Sequence, residues 1–237
     1  MTGDSLQDRL VQSLEAARLK EAVLLALCDD APPSKEGSWT AKDNIAHLNT
    51  WREHAVRALD AARLGTPFEG PSTDVDLDAR NAEIYAAHRG DSAATVRAAA
   101  SESYTALIDA VRACSEADLL RERAGNAGPV WQVVPGNGHG HVAQHLSYWA
   151  VERSDPAEAQ EAATWSHALD SQLFPENQPV ADYNLACFFA RNGRADEALP
   201  LLNAALRSRP DLRPFALEDA DIDPIRDDPR VQSLLGA

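Results

Sequence analysis

The stretch Ser38-Trp39-Thr40-Ala41-Lys42-Asp43-Asn44-Ile45-Ala46-His47-Leu48-Asn49-Thr50-Trp51 reads as the opening of a helix. Thr40 stands where an N-cap belongs. Asp43 follows three residues later, the spacing of a capping box with Asp in place of Glu. Apolar Ile45, Leu48, Ala55 and Leu59 then recur at helical spacing until Gly65-Thr66-Pro67 ends the run. The same period appears on either side. A first helix is expected over Asp4–Cys28, with Leu6, Leu10, Leu14, Val23 and Leu27 among its apolar positions and Ala31-Pro32-Pro33 as its stop. An acidic loop, Glu69–Asp76, separates the second helix from a third over Asp78–His88. A fourth runs over Ser92–Cys114 with Val96, Leu107, Ile108 and Val111, and a fifth starts near His139. Between the last two, Gly125, Gly128, Pro129 and the run Pro135-Gly136-Asn137-Gly138 predict a long irregular connection around Trp131. Alternating β-branched runs are almost absent, so the chain reads as all-α, with enough long helices in its first part for a four-helix bundle.

Composition narrows the function classes. The 237 residues carry 22 Lys+Arg against 37 Asp+Glu, a net charge of −15, with 44% hydrophobic residues. A chain this acidic lacks the basic footprint that nucleic acid requires. No apolar run approaches the ~20 residues of a membrane span. The N-terminus has no basic segment before an apolar one, so a cytoplasmic location is expected. Arg in excess of Lys, with abundant Ala, points to a GC-rich bacterial source. Cys28, Cys114 and Cys187 are far apart and form no CxxC pair, and each sits in an apolar helical context that suits a buried thiol.

The histidines carry the chemistry. His141 and His145, four apart on one helix, project from one face about one turn apart. Two neutral imidazoles so placed can reach one divalent ion, and a third from another helix would leave open coordination positions. The pair alone also suits a polar helix face. His47 and His54 share a face of the second helix and compete as the third ligand. His139 points away from the pair if the helix has already begun, and His88 and His167 read as surface residues. Trp131 and Trp149 are candidate walls of a substrate cavity beside the histidines, with core packing as the alternative. Trp39 and Trp51 read as core. Glu152 reads as a second-layer partner or a solvated helix-end carboxylate.

Residues 38–51, with Trp39, Thr40, Asp43, the Ile45-Ala46-His47-Leu48 step and Trp51, resemble the second-helix motif of the DinB/YfiT-like metalloenzyme family. Asn81-Ala82-Glu83 and the Ser-rich helix ending at Asp118-Leu119 are similar to its middle helices. His141 and His145 match its last-helix HxxxH. The resemblance covers about residues 5–152. It implies a four-helix bundle with a divalent transition metal (zinc, nickel or iron) held by His47, His141 and His145. It further implies a small electrophilic substrate and a low-molecular-weight thiol as cosubstrate, in thiol-dependent transfer or isomerisation, or in hydrolysis, with a stress or detoxification role. Arg52 and Arg80, near the motifs, are candidates for the thiol's carboxylates.

Arg153-Ser154-Asp155-Pro156 looks like a boundary, dividing the chain into a bundle over 1–153 and a helical segment over 156–237. Within the latter, Leu185, Ala186, Phe189, Gly193, Ala198, Leu202, Ala205 and Pro210 resemble one tetratricopeptide unit over about 180–210, with Asp182 where an aromatic is expected and a helix over 156–171 before it. A single unit cannot bury its faces alone, so it caps the bundle, pairs in a homodimer or receives a protein partner. The acidic tail from Glu218 ends in a short helix started by Asp228-Pro229-Arg230, its acids suiting N-caps and a solvated surface rather than a calcium loop. The alternative function is therefore an interaction protein whose histidines are vestigial.

Overall fold

The computed structural model describes residues 4–33, 35, 37–68, 77–123 and 128–236. Its secondary structure is helical. Among the described residues the β-type pairing is one isolated bridge between Glu122 and Pro129. The chain divides into two compact units, Met1–Leu146 and Ser147–Ala237. The sequence break at Asp155-Pro156 is a helix start, with Asp155 as N-cap and Pro156 in the first turn, whereas the division between units falls earlier, inside a helix.

The first unit is built on α1 (Leu6–Ala26), α2 (Ala41–Leu64), α3 (Leu77–His88), α4 (Ala93–Ala113), the short α5 (Glu116–Leu119) and α6 (Val133–Asn137), and the first part of α7 (His139–Glu152). Capping boxes start α1, α2 and α5, at Ser5/Asp8, Thr40/Asp43 and Ser115/Asp118. Gly65, at φ 67°, ends α2 in the left-handed conformation that glycine adopts without cost. Leu10, Leu14 and Leu24 of α1, Ile45, Leu48 and Leu59 of α2, Leu107 and Val111 of α4, and Val142 and Leu146 of α7 are buried. Each large side chain so placed contributes about 1.5–3 kcal/mol.

Two expectations are corrected. The inner face of α1 is Leu10, Ser13, Leu14, Ala17, Glu21 and Leu24, while Val23 and Leu27 stay 41% and 44% exposed. Val23 is two residues from Glu21, roughly 200° around the helix, and cannot share its face. The later part of the connection before His139 is also helical rather than irregular. Val130–Gln132 forms a 3-10 turn that leads into α6, and Val130, Trp131, Val133 and Val134 are buried. The Gly/Pro content there marks a turn between packed helical pieces, not an open loop. The acidic segment Glu69–Asp76 and Gly125 lie outside the described residues.

Glu21 enters the core because Arg52 meets it there. Arg52 Nη1 donates to Glu21 Oε2 at 2.7 Å and Nη2 to Oε1 at 3.1 Å. Arg52 Nε donates to Ser103 Oγ at 2.9 Å, and Tyr104 Oη donates to Glu21 Oε2 at 2.8 Å. Both ionic side chains are fully buried, and the guanidinium lies 4.1 Å from the centroid of the Tyr104 ring. The network ties α1, α2 and α4 together.

The second unit holds the end of α7, then α8 (Pro156–Leu173), α9 (Gln178–Arg191), α10 (Ala195–Ser208), α11 (Arg213–Glu218) and α12 (Pro229–Leu235). α9 and α10 pack as a helical hairpin through Ala186, Phe189, Ala190, Ala198, Leu202 and Ala205, with Gly193 at φ 67° in the turn. Asp219 and Asp228 cap the 3-10 helix Ala220–Ile225 and α12, and Tyr183 donates to Asp219 Oδ2 at 2.7 Å.

Glu21→Gln leaves the Arg52 charge buried and unpaired. It is expected to lower unfolding free energy by about 3–5 kcal/mol, whereas the paired replacement Glu21→Leu/Arg52→Met loses much less. Urea denaturation followed by circular dichroism checks both.

Candidate metal centre

His47 lies two turns into α2, after the Thr40 cap. There Thr40 Oγ1 accepts from Asp43 N, and the Asp43 carboxylate accepts from Thr40 N at 2.8 Å. His141 and His145 follow the start of α7, which is set by Gly138. A Cβ at Gly138 would stand 2.8 Å from the Val134 carbonyl oxygen and 3.0 Å from Leu14 Cδ2, so the chain passes from α6 to α7 only without a side chain there.

The three imidazoles converge. His141 Nε2 lies 3.2 Å from His47 Nε2 and 3.2 Å from His145 Nε2. One ligand atom from each residue falls within 4.8 Å of the others. Two nitrogens bound to one ion at about 2.0–2.1 Å stand about 2.9 Å apart at a right angle and about 3.4 Å apart at the tetrahedral angle. The observed 3.2 Å falls between these limits, so this group can hold a metal ion. His47 Nδ1 and His141 Nδ1 are buried without a hydrogen-bond partner, and His145 Nδ1 lies 2.7 Å from Asn44 Oδ1.

Burial keeps the cluster neutral. It pushes His47 down to about 4 and His145 down to about 3, with the positive charge of His47 as a second cause for His145. His141 is held well below its ordinary range by burial first, then by the charges His145, His47 and Arg52 would present. Neutral imidazoles keep the lone pairs that a metal needs.

Aromatic rings surround the cluster. Trp39 meets His47 edge-on with centroids 5.1 Å apart, lies near-parallel to His145 at 6.0 Å, and stacks on Tyr85 of α3 at 5.9 Å. Trp51 stands 6.2 Å from both His47 and His141, and its buried Nε1 has no hydrogen-bond partner. In sequence Trp131 and Trp149 are the candidates for this role, with core packing as the alternative, and Trp39 and Trp51 read as core. Yet Trp51 is four residues from His47 and Trp39 directly precedes the helix cap, and both spacings carry the contact. Trp131 is buried in the turn Val130–Gln132. Trp149 belongs to the second unit, where the Arg153 guanidinium lies 5.5 Å from its ring centroid.

The remaining candidates separate by geometry. Arg52 is corrected from a ligand for substrate carboxylates to a core residue, because its donors are committed to Glu21, Ser103 and Asn49 with no exposed surface. Arg80 lies at the surface of α3, paired with Glu83 at 3.1 Å. His54 falls outside the three-histidine group, against Trp51 and Phe68. Burial first, then Arg57 and Arg80, lower it to about 4. His139 is buried at the start of α7, also outside the group. Glu152 is exposed at the end of α7. His88 and His167 are not simple surface residues. Both are half-buried, His88 Nδ1 at 2.8 Å from Asp91 Oδ2 and His167 Nε2 at 2.8 Å from Asp182 Oδ1.

All three cysteines are buried and free. Burial raises each thiol: Cys114 up to about 11, Cys28 and Cys187 also upward. No helix among the described residues is long and apolar enough to cross a membrane.

No curated protein and no solved structure matches the chain. The family model of the DinB superfamily matches residues 7–148, a span that takes in α1 through the histidine pair of α7. With three imidazoles meeting between the second helix and the last of that span, the chain belongs to the DinB superfamily.

Proposed function

We propose that His47, His141 and His145 are the ligands of a divalent transition metal (zinc, nickel or iron), and that the protein is a metal-dependent enzyme acting on a small electrophile. The observation that carries this reading is the convergence of three neutral imidazoles, with His141 Nε2 3.2 Å from both His47 Nε2 and His145 Nε2, beside Trp39 and Trp51. With the ring hydrogens on Nδ1, the facing Nε2 atoms meet lone pair to lone pair, and a cation between them would gather those lone pairs. A metal bound there supplies Lewis acidity, lowering the pKa of a water or a thiol in an open position.

The chain's own groups do the rest. Trp39 and Trp51 exclude water on the sides they cover and give an electrophile with an apolar body a surface to lie on. Trp51 Nε1 is a buried donor left for a polar atom of the substrate. Cys28, Cys114 and Cys187 are buried and their thiols are pushed toward the protonated form, which favours water or a diffusible low-molecular-weight thiol as the nucleophile. With Arg52 committed to the core, Arg80 remains the candidate partner for the thiol's carboxylates.

A second reading rests on the α9–α10 hairpin. Its buried Leu185, Ala186, Phe189, Ala198, Leu202 and Ala205 and its glycine turn suit a tetratricopeptide-like unit that recruits a protein partner. On that reading the histidines are packing only.

Metal analysis by mass spectrometry separates the two. Untagged protein is expected to carry close to one transition metal per chain, lost in His47→Ala and in His145→Ala with helical content kept. No metal after reconstitution with zinc, nickel and iron transfers the function to the hairpin. For the enzyme reading, metal-loaded protein with a panel of thiols and model electrophiles should show turnover that His145→Ala lacks; equal rates in both overturn it.

A further inference from the structure

Asn44 is buried on α2, and its amide is fixed in orientation. Asn44 Nδ2 donates to the Thr40 carbonyl oxygen at 2.8 Å, and the same carbonyl accepts Asn44 N at 3.1 Å. Turning the amide over would set Oδ1 against that carbonyl, two acceptors face to face, so the side-chain oxygen points the other way. It points at His145 Nδ1, 2.7 Å distant. Thr40 is itself held by the capping box with Asp43, so the whole chain of bonds runs from a helix N-terminus to the imidazole.

An oxygen at that distance is satisfied only by a hydrogen on Nδ1. A neutral imidazole carries one such hydrogen, so Nε2 then has a lone pair and no proton. We infer that Asn44 is a positioning residue that holds His145 as the Nδ1–H tautomer and so presents its bare Nε2 to His141 and His47. The imidazoles of His47 and His141 have no hydrogen-bond partner on Nδ1, so His145 is the member of the cluster whose tautomer a protein side chain dictates. Its Nε2 stands 3.2 Å from His141 Nε2 with its ring laid against Trp39, so the lone pair is aimed as well as freed. A neutral amide oxygen is well matched to such a role, because it orients the ring without the full charge of a carboxylate in a buried site. The consequence for affinity rests on the metal reading above. The tautomer does not, since it follows from bonds present without a metal.

The test is made on full-length, metal-free, 15N-labelled protein by long-range proton–nitrogen correlation of the imidazoles, followed by zinc titration against a competing chelator. Wild type is expected to show His145 as Nδ1–H. Asn44→Leu, similar in volume but unable to accept, should convert a substantial fraction to Nε2–H and weaken zinc by roughly ten- to a hundredfold. Asn44→Asp keeps an acceptor and should keep the Nδ1–H form, with zinc affinity nearer to wild type than the Leu variant's. The inference is overturned if wild-type His145 is Nε2–H, or if Asn44→Leu changes neither tautomer nor affinity. Should Asn44→Leu fail to fold, wild type and Asn44→Asp still decide, because a mixed tautomer in either sinks it. Wild type that holds the Nδ1–H form but binds no zinc overturns the metal reading and leaves the role of Asn44 in setting the tautomer supported.

Discussion

The buried contact between Arg52 and Glu21 is the constraint on which the first unit turns. Two full charges sit in the interior with no exposed surface, joined by two hydrogen bonds and completed by Ser103, Asn49 and Tyr104. Such a pair adds little net stability against well-packed apolar residues, but it tolerates few arrangements of the helices that carry it. α1, α2 and α4 are therefore held in one register. On α2 the same helix presents Asn44, His47 and Trp51 from a different face toward α7. One helix thus carries two polar constellations: one closed and charged, one neutral and left with lone pairs.

The histidine cluster shows how burial readies three imidazoles that could hold a metal ion. Three solvated imidazoles would each be partly protonated near neutrality and would repel a cation. Packed between α2 and α7 under Trp39 and Trp51, they are driven neutral, and the driving cause is desolvation rather than any single partner. The apolar wall and the donor set are the same structural fact seen from two sides. The rings that keep water away also keep the second, charging proton off each imidazole.

Much of this was legible in local patterns and the rest was not, for identifiable reasons. The Thr40/Asp43 box, the start of α7 at His139 and the four-residue step from His141 to His145 depend on neighbours in sequence, and they read correctly from it. His47 against His54 did not separate by spacing, since both share a face; only the crossing with α7 picks His47. The pairing of Glu21 with Arg52 joins positions 31 residues apart, and a charged residue on an apolar face gives no hint of the partner that justifies it. α6 is hidden because Pro135, Gly136 and Gly138 are punctuation in a propensity reading, yet here the first two lie inside a short helix and the last leaves no room for a Cβ between the Val134 carbonyl oxygen and Leu14. Trp39 and Trp51 read as core in sequence because a tryptophan's apolar spacing says nothing of what its face meets.

The three cysteines bear on durability. Alkylating and oxidising agents attack thiolates, and a thiol held protonated in the interior offers them almost none. The sulfurs of Cys28, Cys114 and Cys187 are therefore poor targets for such agents while the fold is intact. Unfolding, which would expose those sulfurs, removes that protection.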